Sequence, residues 1–210
     1  MPYSQFTLEN IQQDLGITIQ ERVGIFAETP EITYSDFLAE TLNYNIPLAL
    51  AIATEKIKSE AIILPILIEL KKQLKNKISV FSGKEFNVDP ERGLTGFCDF
   101  LISHSPSQLT IEAPVTILVE AKNDNLHSGL GQCMAEMIAA QTFNQSRGKL
   151  IKTIYGSVTT GSLWQFMRLN DNRVEVDLDE YFLNNIGKII GILASFFEGI
   201  YCADKTSAVL

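Results

Sequence analysis

The sequence predicts an α/β domain in which a central mixed β-sheet is flanked by helices. Three observations carry this. The hydrophobic period changes from helical to strand-like after residue 75; β-branched and aromatic runs bounded by turn residues recur between 78 and 178; apolar helical stretches precede, interrupt and follow them. A helix apolar on most faces needs a sheet to cover it.

Residues 1–45 read as a small helical arm and 46–210 as the main domain. In the arm, "TLENIQQDLGI" has Thr7 as N-cap and Gly16 as a stop, and "SDFLAETLN" starts at Ser35. From Pro47 to Lys75 the pattern is helical and apolar nearly all round, with a kink or break expected at Pro65. "ISVFSGKEFNV", the turn "DPERG", "LTGFCDFLIS", the turn "HSPSQ" and "APVTILVEAK" then give three strands, the last two as a hairpin. "GLGQCMAEMIAAQTFNQ" is a helix whose small residues suit close packing on a sheet. "LIKTIYGSVTT", "SLWQFMRLN" and "RVEVDL" are further strands, turned at "TG" and "NDN", and a helix from Asp179 to Tyr201 closes the domain.

Composition limits the function classes. No apolar run in the 210 residues is long and uncharged enough to span a bilayer, so no membrane partner is expected. Met1–Gln20 lacks a basic start and an apolar core, so no signal peptide is expected. Cys98, Cys133 and Cys202 are an odd number without CxxC spacing, which fits reduced core thiols and a cytoplasmic location. The net charge of −8 supplies no global attraction for a polyanion, so nucleic-acid binding needs grouped cations. Two groups exist: Lys71, Lys72, Lys75 and Lys77, and Arg147, Lys149 and Lys152. A P-loop, a G-x-S-x-G elbow and zinc spacings are absent from the sequence.

One stretch carries chemistry. In "VEAKNDN", Glu120 and Lys122 lie two positions apart and therefore on one face of a strand. On the preceding strand, Asp99 is another carboxylate in an apolar run. If the strands pair, the two acids approach each other and need a proton or a cation between them. A hard divalent ion meets that need with few protein oxygens and several waters. The alternative is a surface ion pair of about 0–1 kcal/mol.

Together, "GFCDF", "VTILVEAK" and "GLGQCMAEM" resemble the PD-(D/E)XK nuclease superfamily over roughly residues 50–175, which implies a restriction-endonuclease-like core. The strings "SEA", "CDF", "VEAKNDN" and "GLGQC" are also similar to those of a largely cyanobacterial group of proteins. Cys98 stands where the superfamily's name-giving motif has Pro, next to the ligands and not among them. The resemblance implies Mg²⁺ (or Mn²⁺) held by Asp99, Glu120 and the Ala121 carbonyl, with Lys122 acting on the attacking water. It adds Glu60 as an outer acid on the first core helix, with Glu55 and Glu69 as rivals, and Gln132 as a positioning residue. The implied function is a nuclease acting on nucleic acid, DNA ahead of RNA. The alternatives are a non-catalytic binding or regulatory module that keeps the fold, and a homodimer assembled through the N-terminal arm.

Overall fold

The computed structural model describes residues 2–198; Cys202 and the expected helix end at Tyr201 lie outside the described residues. Among the described residues there are six α-helices: α1 (Leu8–Gln13), α2 (Asp36–Ile52), α3 (Glu55–Lys58), α4 (Leu64–Gln73), α5 (His127–Ser146) and α6 (Ile186–Ser195). The strands are β1 (Thr18–Arg22), β2 (Ser79–Glu85), β3 (Phe97–Ser103), β4 (Val115–Ala121), β5 (Thr153–Thr159), β6 (Leu163–Asn170), β7 (Arg173–Asp177) and β8 (Tyr181–Phe182). They form one sheet in the order β1-β7-β6-β5-β4-β3-β2, with β8 beside β6.

The sheet is mixed and helices flank it, as the period change predicts. β2, β3 and β4 are an antiparallel meander, β4 and β5 are parallel and joined through α5, and β5, β6 and β7 are again antiparallel. Every residue of β4 is buried, which explains its unbroken apolar run: both its faces are covered. On one face α5 and the N-terminal segment pack around Leu118, Cys133 and Met137. On the other, α2, α4 and α6 pack around Ile66, Ile117, Phe166 and Ile190. The small residues of α5 permit its close approach. A Cβ at Gly156 of β5 would lie 2.4 Å from Met137 Sδ, and one at Gly131 would lie 2.4 Å from the Phe6 carbonyl oxygen.

Three expectations need correction. The segment 1–45 is not only helical. Its Thr7 cap does accept from Asn10, but the segment also supplies β1, which runs parallel to β7, and position 45 lies inside α2. Tyr3 fastens the segment to the β2–β3 connection, donating its hydroxyl to the Phe86 carbonyl at 2.6 Å and its N–H to Thr95 at 2.9 Å. Next, the long helical run breaks at Ala53, where φ is 56°, and not at Pro65. A π-helical turn, Ser59–Ile63, leads into Pro65, with the Leu64 N–H reaching five residues back to Ser59. The chain absorbs proline's missing N–H there without a break. Finally, the last helix begins at Ile186 and not at Asp179. Asp179 N–H and Tyr181 O–H are drawn to the Asp177 carboxylate, and Tyr181 and Phe182 pair with β6.

No helix among the described residues is long and apolar enough to cross a membrane. β4, β5 and β7 share one direction, so their C-terminal ends meet at one edge of the sheet. The start of β3 and the start of α5 lie at that same edge.

Candidate active site

The β3–β4 ladder runs through Phe100↔Val119, and one step further places Asp99 opposite Glu120. There the carboxylate replaces the backbone: Asp99 Oδ2 accepts the Ala121 N–H at 2.8 Å. Glu120 points toward α5 and is 1% exposed. Lys122 shares that face, and its Nζ donates to Glu120 Oε1 at 2.5 Å and to Gln132 Oε1 at 3.3 Å. Gln132 Nε2 donates to Glu136 Oε1 at 3.1 Å, one helical turn on, and the Glu136 carboxyl lies beside that of Glu120. Glu120, Lys122, Gln132 and Glu136 thus close a ring, with Asp99 beside it.

Burial sets the protonation of this ring. It pushes the Glu120 carboxyl up to about 8, and the Asp99 charge adds to the rise against the pull of Lys122. Burial also drives Glu136 well above the carboxylate range, with Glu120 as the second cause. For Lys122, burial favours the neutral amine, but attraction to Glu120 outweighs it and the value rises. Glu120 and Lys122 therefore make opposite demands on Glu120's charge. We assign the shared proton to fully buried Glu136, because Glu120 has an ammonium 2.5 Å away. Asp99 and Glu120 against Lys122 then leave one net negative charge, the balance that draws a cation.

Packing holds Lys122 in place. A Cβ on Gly129 would lie 2.7 Å from Val158 Cγ1 and 3.1 Å from Lys122 Cγ and Cε, so glycine is what lets the lysine stem lie beneath α5. On the other side, buried Lys58 of α3 donates from Nζ to Asn123 O at 2.7 Å and Asn123 Oδ1 at 3.2 Å. It also lies 3.9 Å from Asp124, which ties α3 to the loop after β4.

Asp99, Glu120, Ala121, Lys122 and Gln132 are thus brought together, and Glu60 is not. Its exposed side chain pairs with Lys56 at 3.7 Å, because Lys58 and Ile62 take the side of the helix that faces Gly161. Glu69 is used elsewhere: it accepts the N–H and hydroxyl of Ser35, the N-cap of α2. Burial pushes its carboxyl up, but bonds from Ser35 and Gln73 outweigh this and hold it below its ordinary value. Of the acids before β2, Glu55 is the one whose charge acts on Lys122. Sequence reasoning missed Glu136 and Lys58. For Glu136 a signal existed, an acid four residues after Gln132 in an otherwise Ala- and Met-rich helix.

The two basic groups sit at the opposite edge of the sheet. Lys71–Lys77 precede β2, whose start pairs with the far end of β3, and Arg147–Lys152 precede the start of β5.

A divalent ion can be tested against these donors. Among the described residues no group of three or more His, Cys, Asp or Glu side chains could hold a metal. A Mg²⁺ ion needs less, since one or two carboxylates with waters suffice. Glu120 Oε2 is buried without a hydrogen-bond donor, as is Glu136 Oε2. Asp99 is tied through Oδ2 alone. The pair Asp99 and Glu120 fits a water-rich Mg²⁺ site and does not make an all-protein cage. No family model and no curated protein matches this chain.

Proposed function

We propose that the chain is a Mg²⁺- or Mn²⁺-dependent nuclease of the PD-(D/E)XK type, with a restriction-endonuclease-like core, hydrolysing DNA ahead of RNA in the cytoplasm. One observation carries the reading: Asp99 and Glu120 face each other on paired strands while the Lys122 ammonium rests on the same Glu120 carboxylate. Asp99, Glu120 and the Ala121 carbonyl would hold the cation, with Glu55 in place of Glu60 as the outer acid. When bound, such a cation polarises a phosphoryl oxygen and makes a water more acidic.

The chain's own groups supply the rest. The Lys122 ammonium has three N–H donors, and Glu120 and Gln132 occupy two. The third is left for the attacking water or a phosphate oxygen. Gln132, itself fixed by Glu136, sets where that N–H points. The Lys58 contacts hold residues 123–124 in place at the rim, and exposed Lys84, one residue past the position opposite Asp99, can meet a backbone phosphate.

The test incubates purified protein with single- and double-stranded DNA and RNA in Mg²⁺ or Mn²⁺, beside Lys122→Ala and Glu120→Gln. Cleavage that EDTA stops and both variants lose is the expected result. Wild-type cleavage no greater than that of the variants overturns the reading. A non-catalytic module is the second reading, favoured by the distance of both basic groups from the acids and by the net charge of −8. Mn²⁺ calorimetry separates the two: the module shows no binding heat, while the nuclease shows a heat that Glu120→Gln removes.

A further inference from the structure

Helix α2 carries an apolar stripe that the fold leaves uncovered. Phe37, Tyr44, Leu48 and Ile52 follow one another at spacings of seven, four and four residues, so they line one side of the helix. Phe37 is 73% exposed and Tyr44 80%, while Leu48 and Ile52 are each 49% exposed. Ile68 of α4 widens the stripe, and a groove of about 460 Å³ runs between Phe37, Thr41, Pro65 and Ile68. Residues 41–54 contain no charged side chain. Together the five side chains expose roughly 600 Å² of apolar surface, at the top of what a monomer leaves open and close to one partner's share of a standard interface.

Charge decides what covers it. Asp36 and Glu40 are exposed on one flank of the stripe, away from the groove. Lys72 lies on the other flank, lining the groove beside Phe37 and Thr41. A two-fold axis running along the stripe turns one copy over onto another and exchanges the flanks. The acidic flank of each copy then meets the basic flank of its mate at the same height along the helix. A two-fold across the helix would instead set Asp36 and Glu40 against the uncharged far end of α2, with no cation to meet them.

We propose that the chain forms a homodimer through α2. The helices pack side by side in parallel about this axis, with Asp36 and Glu40 facing Lys72 of the second copy. The inference is independent of the nuclease reading, because its test involves no substrate. Sedimentation equilibrium from about 1 to 100 µM should return twice the chain mass. Tyr44→Glu and Leu48→Glu should each weaken the dimer by at least ~100-fold with an unchanged circular dichroism spectrum. Lys72→Glu should weaken it ~10-fold, and adding Glu40→Lys should restore it. A wild-type chain of single mass throughout that range overturns the proposal. So does a dimer indifferent to Tyr44→Glu and Leu48→Glu, or a Lys72→Glu loss that Glu40→Lys leaves unrepaired.

Discussion

Two buried carboxylates sit near C-terminal strand ends at the same edge of the sheet, and they are treated in opposite ways. Asp177, at the end of β7, accepts four bonds: from the N–H groups of Gly24, Phe26 and Asp179 and from the Tyr181 hydroxyl. Glu120, near the end of β4, has one cationic donor, a carboxyl beside it and an oxygen with no donor. A saturated carboxylate organises the chain around it, here the loop after β1 and the start of β8. An unsaturated one stores a demand for a cation or a proton. The difference separates an acid that organises the chain from one whose demand is left unmet, without reference to any motif.

Four experiments sharpen or break this comparison. Asp177→Ala should have the largest effect, costing about 4 kcal/mol of stability in urea unfolding, because four donors lose their acceptor. A cost comparable to that of an exposed acid would erase the distinction. Lys122→Ala should lower metal-dependent cleavage ~100-fold, while buried Glu120 takes a proton in place of its lost ammonium at a cost of about 1–3 kcal/mol. Equal loss of folding and of activity would make Lys122 a structural residue.

Lys58→Met keeps the apolar stem and removes the contacts to Asn123 and Asp124. It should cost about 1–2 kcal/mol, and hydrogen exchange should rise first at residues 123–125.

The fourth experiment follows the pH slope. Burial raises both carboxyls of the Glu120–Glu136 pair, Glu120 from an ordinary 4.5 to about 8, so above pH 4.5 the native pair holds a proton that the unfolded chain has lost. Stability from this pair is fully present below pH 4.5 and is lost as pH rises through about 8. The melting temperature should therefore fall across that window, and Glu136→Gln should flatten the fall, because its amide donates to Glu120 at every pH. A slope unchanged by Glu136→Gln would remove Glu136 from the ring.

Much of the fold is legible in local pattern. Strand alternation places Glu120 and Lys122 on one face, small residues announce the tight seat of α5, and Thr7 and Ser35 do cap helices. These are short-range facts, set by a residue and its near neighbours along one element. β1 escaped because "TIQER" is polar, and its place in the sheet comes from pairing with β7 some 150 residues away. The passage through Pro65 depends on a π-turn and the break at Ala53 on a left-handed backbone, neither of which propensity encodes.

The site divides along the same line. The sequence alone determined that Asp99, Glu120 and Lys122 can share a strand-end cluster, because a period of two and one antiparallel turn are enough. The tertiary structure alone decided that Glu136 closes the ring, that Lys58 clamps the loop, and that Glu60 turns away toward Lys56 while Glu55 acts on Lys122. The reason is physical. Which acid is buried, and which of its oxygens goes without a donor, depends on how helices seat on the sheet, and that is a property of contacts between elements distant in sequence.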